Sequence, residues 1–226
     1  MTASGDARPI RIALPDDSSV SGLVQGPEAP AAVYVLAHGA GAGMAHAFMA
    51  ACAGGLAARG VATVRFQFPY MERGSKRPDT PAVAHAAVRA AVAQAAAHFG
   101  SAPRLFAGGK SFGGRMTSQA QAQAPLDGVE GLVFLGFPLH PADQPASTRG
   151  DHLHQVEVPM LFVQGTRDKL AEWSRVQALT AALAPRAALI QVDDGDHAFH
   201  VPARSGRSDA QVLGTILDGV AAWMLR

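Results

Sequence analysis

The sequence predicts an α/β fold: a largely parallel sheet covered by helices. Three observations carry that expectation. Short apolar runs alternate with longer helical stretches along the chain. Glycine-rich segments follow directly on two of those runs, at AVYVLA-HGAGAG and RLFA-GGKSFGG. The 226 residues, 48% hydrophobic and 16% charged, suit one medium domain with a sizeable core better than two. Residues 1–226 are therefore read as a single domain.

Ile10 to Leu14 and Val20 to Val24 are the opening strands, a hairpin around Pro15-Asp16-Asp17. Ala32 to Ala37 is a buried-type strand that runs into HGAGAG and a helical segment ending near Arg59-Gly60. Val61 to Phe66 is the next strand, followed by a polar loop from Pro69 to Asp79. The clearest helix comes next. Thr80 suits its cap, Pro81 its first position and Gly100 its exit, while Val88, Val92 and Phe99 recur at roughly helical spacing. Arg104 to Ala107 is a strand, and the segment after Ser111 is a helix stopped by Pro125. Gly131 to Leu135, Met160 to Val163 and Ala188 to Val192 are three more strands. Helical segments near Ala171 to Leu183 and Ser208 to Leu225 follow the last two, and Phe137 to Val158 is the least regular stretch. No repeat, linker or room for a large lid is visible.

A net charge of +1 offers no field for nucleic acid or an acidic membrane surface. The densest basic group, Arg73, Lys76 and Arg77, lies in a Gly/Pro-bearing loop rather than along a helix face. The N-terminus lacks the basic start and apolar run of a signal peptide, and no apolar run approaches a membrane span. The lone Cys52 excludes an internal disulfide. These features predict a cytoplasmic protein, a monomer or small homo-oligomer, acting on a small molecule.

FAGGKSFGGR (106–115) has two incompatible readings. A phosphate-binding loop ending in Gly109-Lys110-Ser111 needs its first glycine at position 104, which is Arg104, and the residues between form the strand itself. The alternative is G-x-S-x-G, a strained strand-to-helix turn that presents a nucleophilic serine. Gly108, Gly109, Gly113 and Gly114 leave room for that crowded turn, and the helix N-terminus favours developing negative charge at Ser111. The plain alternative is a glycine-rich turn whose serine only caps the helix.

A nucleophile of this kind needs an acid and a histidine, in that chain order, from loops at the same sheet edge. Asp168 follows the strand MLFVQ directly, and His197 follows ALIQV within DGDHAF. Asp143, in the preceding irregular loop, competes for the acid role, and His200 competes with His197. Gly195 and the strand end favour His197. The oxyanion donors expected are the N–H of Phe112 and that of Ala40 or Gly41 in HGAGAG. The same segment lacks the third glycine of a dinucleotide fingerprint, since Met44 and His46 stand where it would fall. His152, His154, Asp193, Asp194 and Asp196 stand at no established metal spacing, so neither metal nor cofactor is expected.

LAHGAGAGM (36–44), RFQFPY (65–70), GGKSFGGR (108–115), QGTRD (164–168) and DGDHAF (194–199) together resemble the α/β-hydrolase superfamily, particularly its small, lidless, dienelactone hydrolase-like branch. They look most like a group of small hydrolases that includes the testis-expressed and KANSL-like proteins of animals. The resemblance spans nearly the whole chain. It implies an eight-stranded, mostly parallel sheet with Ser111, Asp168 and His197 as triad. Thiol dienelactone hydrolases carry Cys as nucleophile where this chain has Ser111, and Cys52 lies elsewhere.

The expected activity is hydrolysis of a small ester-like substrate through an acyl-enzyme. Two alternatives are a non-enzymatic interaction module on a hydrolase scaffold, as some animal relatives are complex subunits, and a small serine peptidase. Lys110 and Tyr70 are candidate substrate contacts, although a lysine beside the nucleophile would also serve as a brace for the turn.

Overall fold

Period-two alternation sorts the side chains of each central strand onto opposite faces of a sheet. In a computed structural model that describes residues 5–101, 103–142, 144 and 149–226, eight strands realise that pattern. They are β1 (Arg8–Ala13), β2 (Ser19–Gln25), β3 (Ala32–Ala37), β4 (Val61–Phe66), β5 (Arg104–Lys110), β6 (Val129–Leu135), β7 (Met160–Gly165) and β8 (Ala187–Val192). Their order is β1-β2-β4-β3-β5-β6-β7-β8. The β1–β2 and β2–β4 pairs are antiparallel and every other pair is parallel.

Among the described residues six α-helices accompany them: α1 (Ala47–Ala57), α2 (Pro69–Glu72), α3 (Pro81–Phe99), α4 (Phe112–Gln123), α5 (Trp173–Ala182) and α6 (Asp209–Met224). Val33, Val35 and Ala37 of β3 join one core with Leu132 and Phe134 of β6 and residues of α3, α4 and α5. Tyr34 and Leu36 face the other way, into a second core with Met49, Cys52 and Leu56 of α1 and Ile216 and Val220 of α6. Each such Val, Leu, Ile or Phe contributes roughly 1.5–3 kcal/mol by leaving water. The Tyr34 hydroxyl, which enters the second core, is satisfied by donating to the Val133 carbonyl at 2.9 Å.

The structure departs from the sequence reading at several boundaries. The expected polar loop after β4 opens with the single turn α2, where Pro69 pre-sets the first helical φ. Thr80 occupies the cap position of α3, but its hydroxyl caps nothing. β5 continues three residues beyond Ala107, because Gly108, Gly109 and Lys110 still pair with β6. Short 3-10 turns at Asp151–Gln155 and Ala203–Ser205 have no counterpart in the sequence reading. Ser208 starts α6 through a capping box, its hydroxyl accepting from Gln211 N–H and the Gln211 amide oxygen accepting from Ser208 N–H. Asp143 lies outside the described residues. Among the described residues, no helix is long and apolar enough to cross a membrane.

The parallel strands bring the ends of β3, β5, β7 and β8 to one edge of the sheet. Closeness there depends on Gly109, whose φ of +150° suits glycine and where a methyl group would collide with the Ala37 carbonyl oxygen. Gly109→Ala is expected to destabilise the fold by about 3 kcal/mol or more. Urea denaturation of variant and parent checks this, and a change within the error of the method would contradict the account of the crossing.

Candidate active site

Ser111 sits between the end of β5 and the start of α4 with φ +49° and ψ −111°, a strained conformation for a residue with a Cβ. Its N–H is held by the Leu135 carbonyl at 3.1 Å, and its side chain makes no cap hydrogen bond to α4. The capping alternative is thereby removed. The turn is tight because α4 begins directly over β3. A methyl on Gly113 would lie 2.6 Å from the carbonyl oxygens of both Ala37 and His38.

The Ser111 hydroxyl instead meets His197 Nε2 at 2.8 Å, and His197 Nδ1 meets Asp168 Oδ2 at 2.7 Å. The carboxylate accepts only, so the proton belongs on Nδ1 and Nε2 is left to accept from the serine. Asp168 is buried and fully engaged. Its Oδ2 also accepts from Gln164 Nε2 at 2.6 Å, and its Oδ1 accepts from Leu170 N–H at 2.8 Å. Gln164 passes its amide oxygen to Phe137 N–H at 2.9 Å, tying the acid to the loop after β6. A glutamine inside the apolar run MLFVQ was the sequence signal for this contact.

The turn carrying His197 is built by Asp196. Its Oδ1 accepts from Ala198 N–H at 2.8 Å and from His200 N–H at 3.0 Å. Arg167 N–H donates to Gly195 O and Asp194 N–H to Thr166 Oγ1, stitching the β7 and β8 loops together. His200 points away from Ser111. Its Nδ1 lies 2.8 Å from Asp209 Oδ2 at the surface, and that hydrogen bond raises its pKa.

The loop after β3 is held by residues of the RFQFPY stretch. Arg65 Nη1 donates to Met44 O at 3.1 Å, while Met44 N–H donates to Gln67 Oε1 at 2.9 Å. Phe68 N–H donates to His38 Nε2 at 3.0 Å, so the other ring nitrogen carries the proton and donates to Gly39 O at 2.8 Å. Burial lowers the pKa of His38, which keeps it neutral for that role. The Tyr70 hydroxyl donates to Ala40 O at 2.9 Å. Tyr70 is fully buried, so it is not the substrate contact expected of it but a support behind the loop, with burial pushing its phenol up to about 12.

Lys110 lines a cleft beside Ser111, but its ammonium is engaged by the protein. Its ammonium donates to the His197 carbonyl at 2.5 Å and stands 5.2 Å from the Phe199 ring centroid and 6.0 Å from that of Phe48. Burial lowers its pKa to about 8, opposed by the nearby Asp168 and Asp196. Cys52 is buried in α1, its thiol pushed up to about 12.

Two clefts open from Ser111. One, of about 360 Å³, is lined by Ala42, His46, Phe48, Met49, Lys110 and Ala198. The other, of about 380 Å³, runs along α4 past Phe112, Arg115 and Met116 to Arg149 and Leu170. Ala40 borders both, whereas Gly41 borders only the first. Phe112 is the first residue of α4, so its N–H has no partner within the helix.

Residues 30–225 match the alpha/beta hydrolase domain family. The chain belongs to this family. Its fold is shared at low identity by solved hydrolases. A dienelactone hydrolase from Anabaena variabilis is 16% identical with a TM-score of 0.76, over 97% of each chain. An esterase domain from Rhodothermus marinus is 16% identical with a TM-score of 0.74, over 98% of this chain and 99% of the other. An α/β serine hydrolase without a lid from Xanthomonas campestris is 20% identical with a TM-score of 0.73, over 96% and 95%. At these identities the likeness is one of fold. Within this alpha/beta hydrolase, the three residues singled out by chain order lie in one hydrogen-bonded row.

The Lys110 environment has a measurable consequence. The native chain releases the Lys110 proton near pH 8, and the unfolded chain near 10.5. Between those values the unfolded state binds more protons, so the lysine's contribution to stability rises with pH, by at most about 1.4 kcal/mol per pH unit. The unfolding free energy of the parent minus that of Lys110→Met should therefore increase from about pH 7.5 to about pH 9.5. A flat or falling difference would contradict the buried, partly desolvated ammonium.

Proposed function

We propose that this protein is a serine hydrolase that cleaves small ester-like substrates through an acyl-enzyme. The single observation supporting this most strongly is the continuous row Asp168–His197–Ser111, with each nitrogen of the imidazole matched to the partner its tautomer requires. Ser111 Oγ attacks the carbonyl carbon as its proton passes to His197 Nε2, and the C–O bond to the leaving alcohol breaks as His197 returns that proton. Water then adds to the acyl-enzyme with His197 as base, releasing the acid and restoring the Ser111 hydroxyl. Asp168 keeps the imidazole in orientation and stabilises its charged form.

The oxyanion is assigned to the N–H groups of Phe112 and Ala40. Ala40 is placed ahead of Gly41 for two reasons. The peptide that carries its N–H is anchored through the Gly39 carbonyl by His38 Nδ1, and Ala40 borders both clefts beside Ser111. A Cβ on Gly41 would meet nothing within 4 Å, so that residue stands in open space. The five motifs quoted above also support grouping the chain with the testis-expressed and KANSL-like hydrolases, and the reaction as written calls on no metal or cofactor.

Labelling by a fluorophosphonate probe tests the reading. The parent should label and Ser111→Ala should not; an unlabelled parent would favour a non-enzymatic scaffold. Asp168→Asn should keep the fold but lower kcat on p-nitrophenyl esters by about 10³–10⁴, because the wrong imidazole tautomer then faces the serine. Near-parental turnover in Asp168→Asn would remove Asp168 as the acid.

A further inference from the structure

Arg115 lies one helical turn beyond Ser111, its N–H donating to the Ser111 carbonyl at 3.1 Å, so both side chains meet the same cleft. Among the described residues its guanidinium makes no salt bridge and no hydrogen bond, and its Nε is buried without a partner. The contact it does make is with the ring of Phe112, 5.9 Å from Cζ to the centroid. A buried guanidinium Nε–H without an acceptor is costly in a folded protein, since that donor has left water and found no partner. Burial and then the positive charge of Arg149, which lines the same cleft, both lower the pKa of Arg115.

The acid within reach does not answer this charge. Asp79 lines the cleft, but its Oδ1 pairs with Arg73 at 2.5 Å and its Oδ2 accepts from Tyr70 N–H at 2.6 Å. On the far side of His197 a third cleft is lined by Arg167 and Lys169, and its one carboxylate, Asp196, is engaged by the turn it builds. The clefts beside the serine and His197 are thus lined by Arg115, Arg149, Arg167 and Lys169, in a chain whose net charge is only +1.

We propose that the cleft along α4 receives an anionic group of the substrate. The ester cleaved then carries a carboxylate or phosphate about one helical turn, roughly 5 Å, from its reacting carbonyl, while its other half occupies the apolar cleft of Phe48 and Met49. This rests on Ser111 being the nucleophile. Arg115 supplies the planar donor pair that such oxygens accept. The glycine-rich loop and Phe112 divide the two halves at the carbonyl, so charge and apolarity are read on opposite sides of the bond that breaks.

The test compares matched p-nitrophenyl esters: the hexanoate, the adipate half-ester with its free carboxylate, and an analogue of the same length ending in a phosphonate. The parent should show a kcat/KM at least about tenfold higher for one or both anionic esters than for the hexanoate. The larger of the two ratios identifies the anion. In Arg115→Gln the ratio should fall towards one, Arg115→Glu should invert it, and Arg115→Lys should keep part of it. Raising salt should shrink the parental ratio, a readout that needs no variant. The uncharged fluorophosphonate reports whether the site is assembled in each protein. A parent that labels but treats anionic and neutral esters alike overturns the inference and leaves the hydrolase reading standing. A preference that survives Arg115→Gln in a protein that still labels overturns it as well. A parent that does not label overturns both.

Discussion

The close approach of β3, β5 and β6 beneath Ser111 is the constraint on which the site depends. A serine can hold a φ of +49° only if the residues around it leave no alternative. Gly109 lets β5 pass the Ala37 carbonyl, and Gly113 lets α4 start against the carbonyls of Ala37 and His38. Each glycine costs conformational entropy on folding, and both stand where any side chain would separate the strand from its neighbours. The Leu135 carbonyl then fixes the Ser111 N–H. The turn is thus strained because the sheet is tightly paired on both sides of it, and the strain is what lifts the hydroxyl towards His197.

Around this turn the protein uses buried polar side chains as ties between loops. Arg65, Gln67, His38 and Tyr70 each hold a backbone group of the loop after β3, and Gln164 joins Asp168 to the loop after β6. Loops normally keep their backbone groups in water. Here those groups are partly enclosed, and a buried unpaired N–H or C=O would cost about 1–3 kcal/mol, so each is met by a side chain with the right hydrogen-bonding character. The result is a frame in which the backbone around Ala40, Phe112 and the serine is tied to its neighbours by hydrogen bonds.

Much of this was legible in the sequence, and the reason is physical. All eight strands were readable because each is a short apolar run bounded by turn residues, and the order Ser, Asp, His follows from which strands those loops succeed. Less legible were features that depend on who meets whom across the fold. Tyr70 reads as a site residue because its motif lies near the site, yet its ring is buried and only its hydroxyl reaches the loop. Arg115 reads as an ordinary helix residue four places after the serine, because an absent partner leaves no trace in a sequence. Strand β5 reads as ending at Ala107, where the glycine-rich serine motif begins, whereas Gly108 and Gly109 continue the pairing.

Lys110 and Arg115 flank the same serine and divide two tasks that both require a cation. Lys110 lies behind His197, where Asp168 and Asp196 favour its charged form against burial and its ammonium donates to the His197 carbonyl. That charge is partly offset within the protein, and its hydrogen bond helps hold the imidazole turn. Arg115 lies in front, where no carboxylate among the described residues balances it. Exchanging their positions would fail on chemistry. A guanidinium is too large and too broadly donating for the space between Phe48, Phe199 and Gly136, and an ammonium lacks the planar pair of donors that a two-oxygen anion accepts. The lysine that makes the stretch resemble a phosphate-binding loop therefore serves the fold, and the arginine at the end of the same stretch is the residue placed to meet an anion.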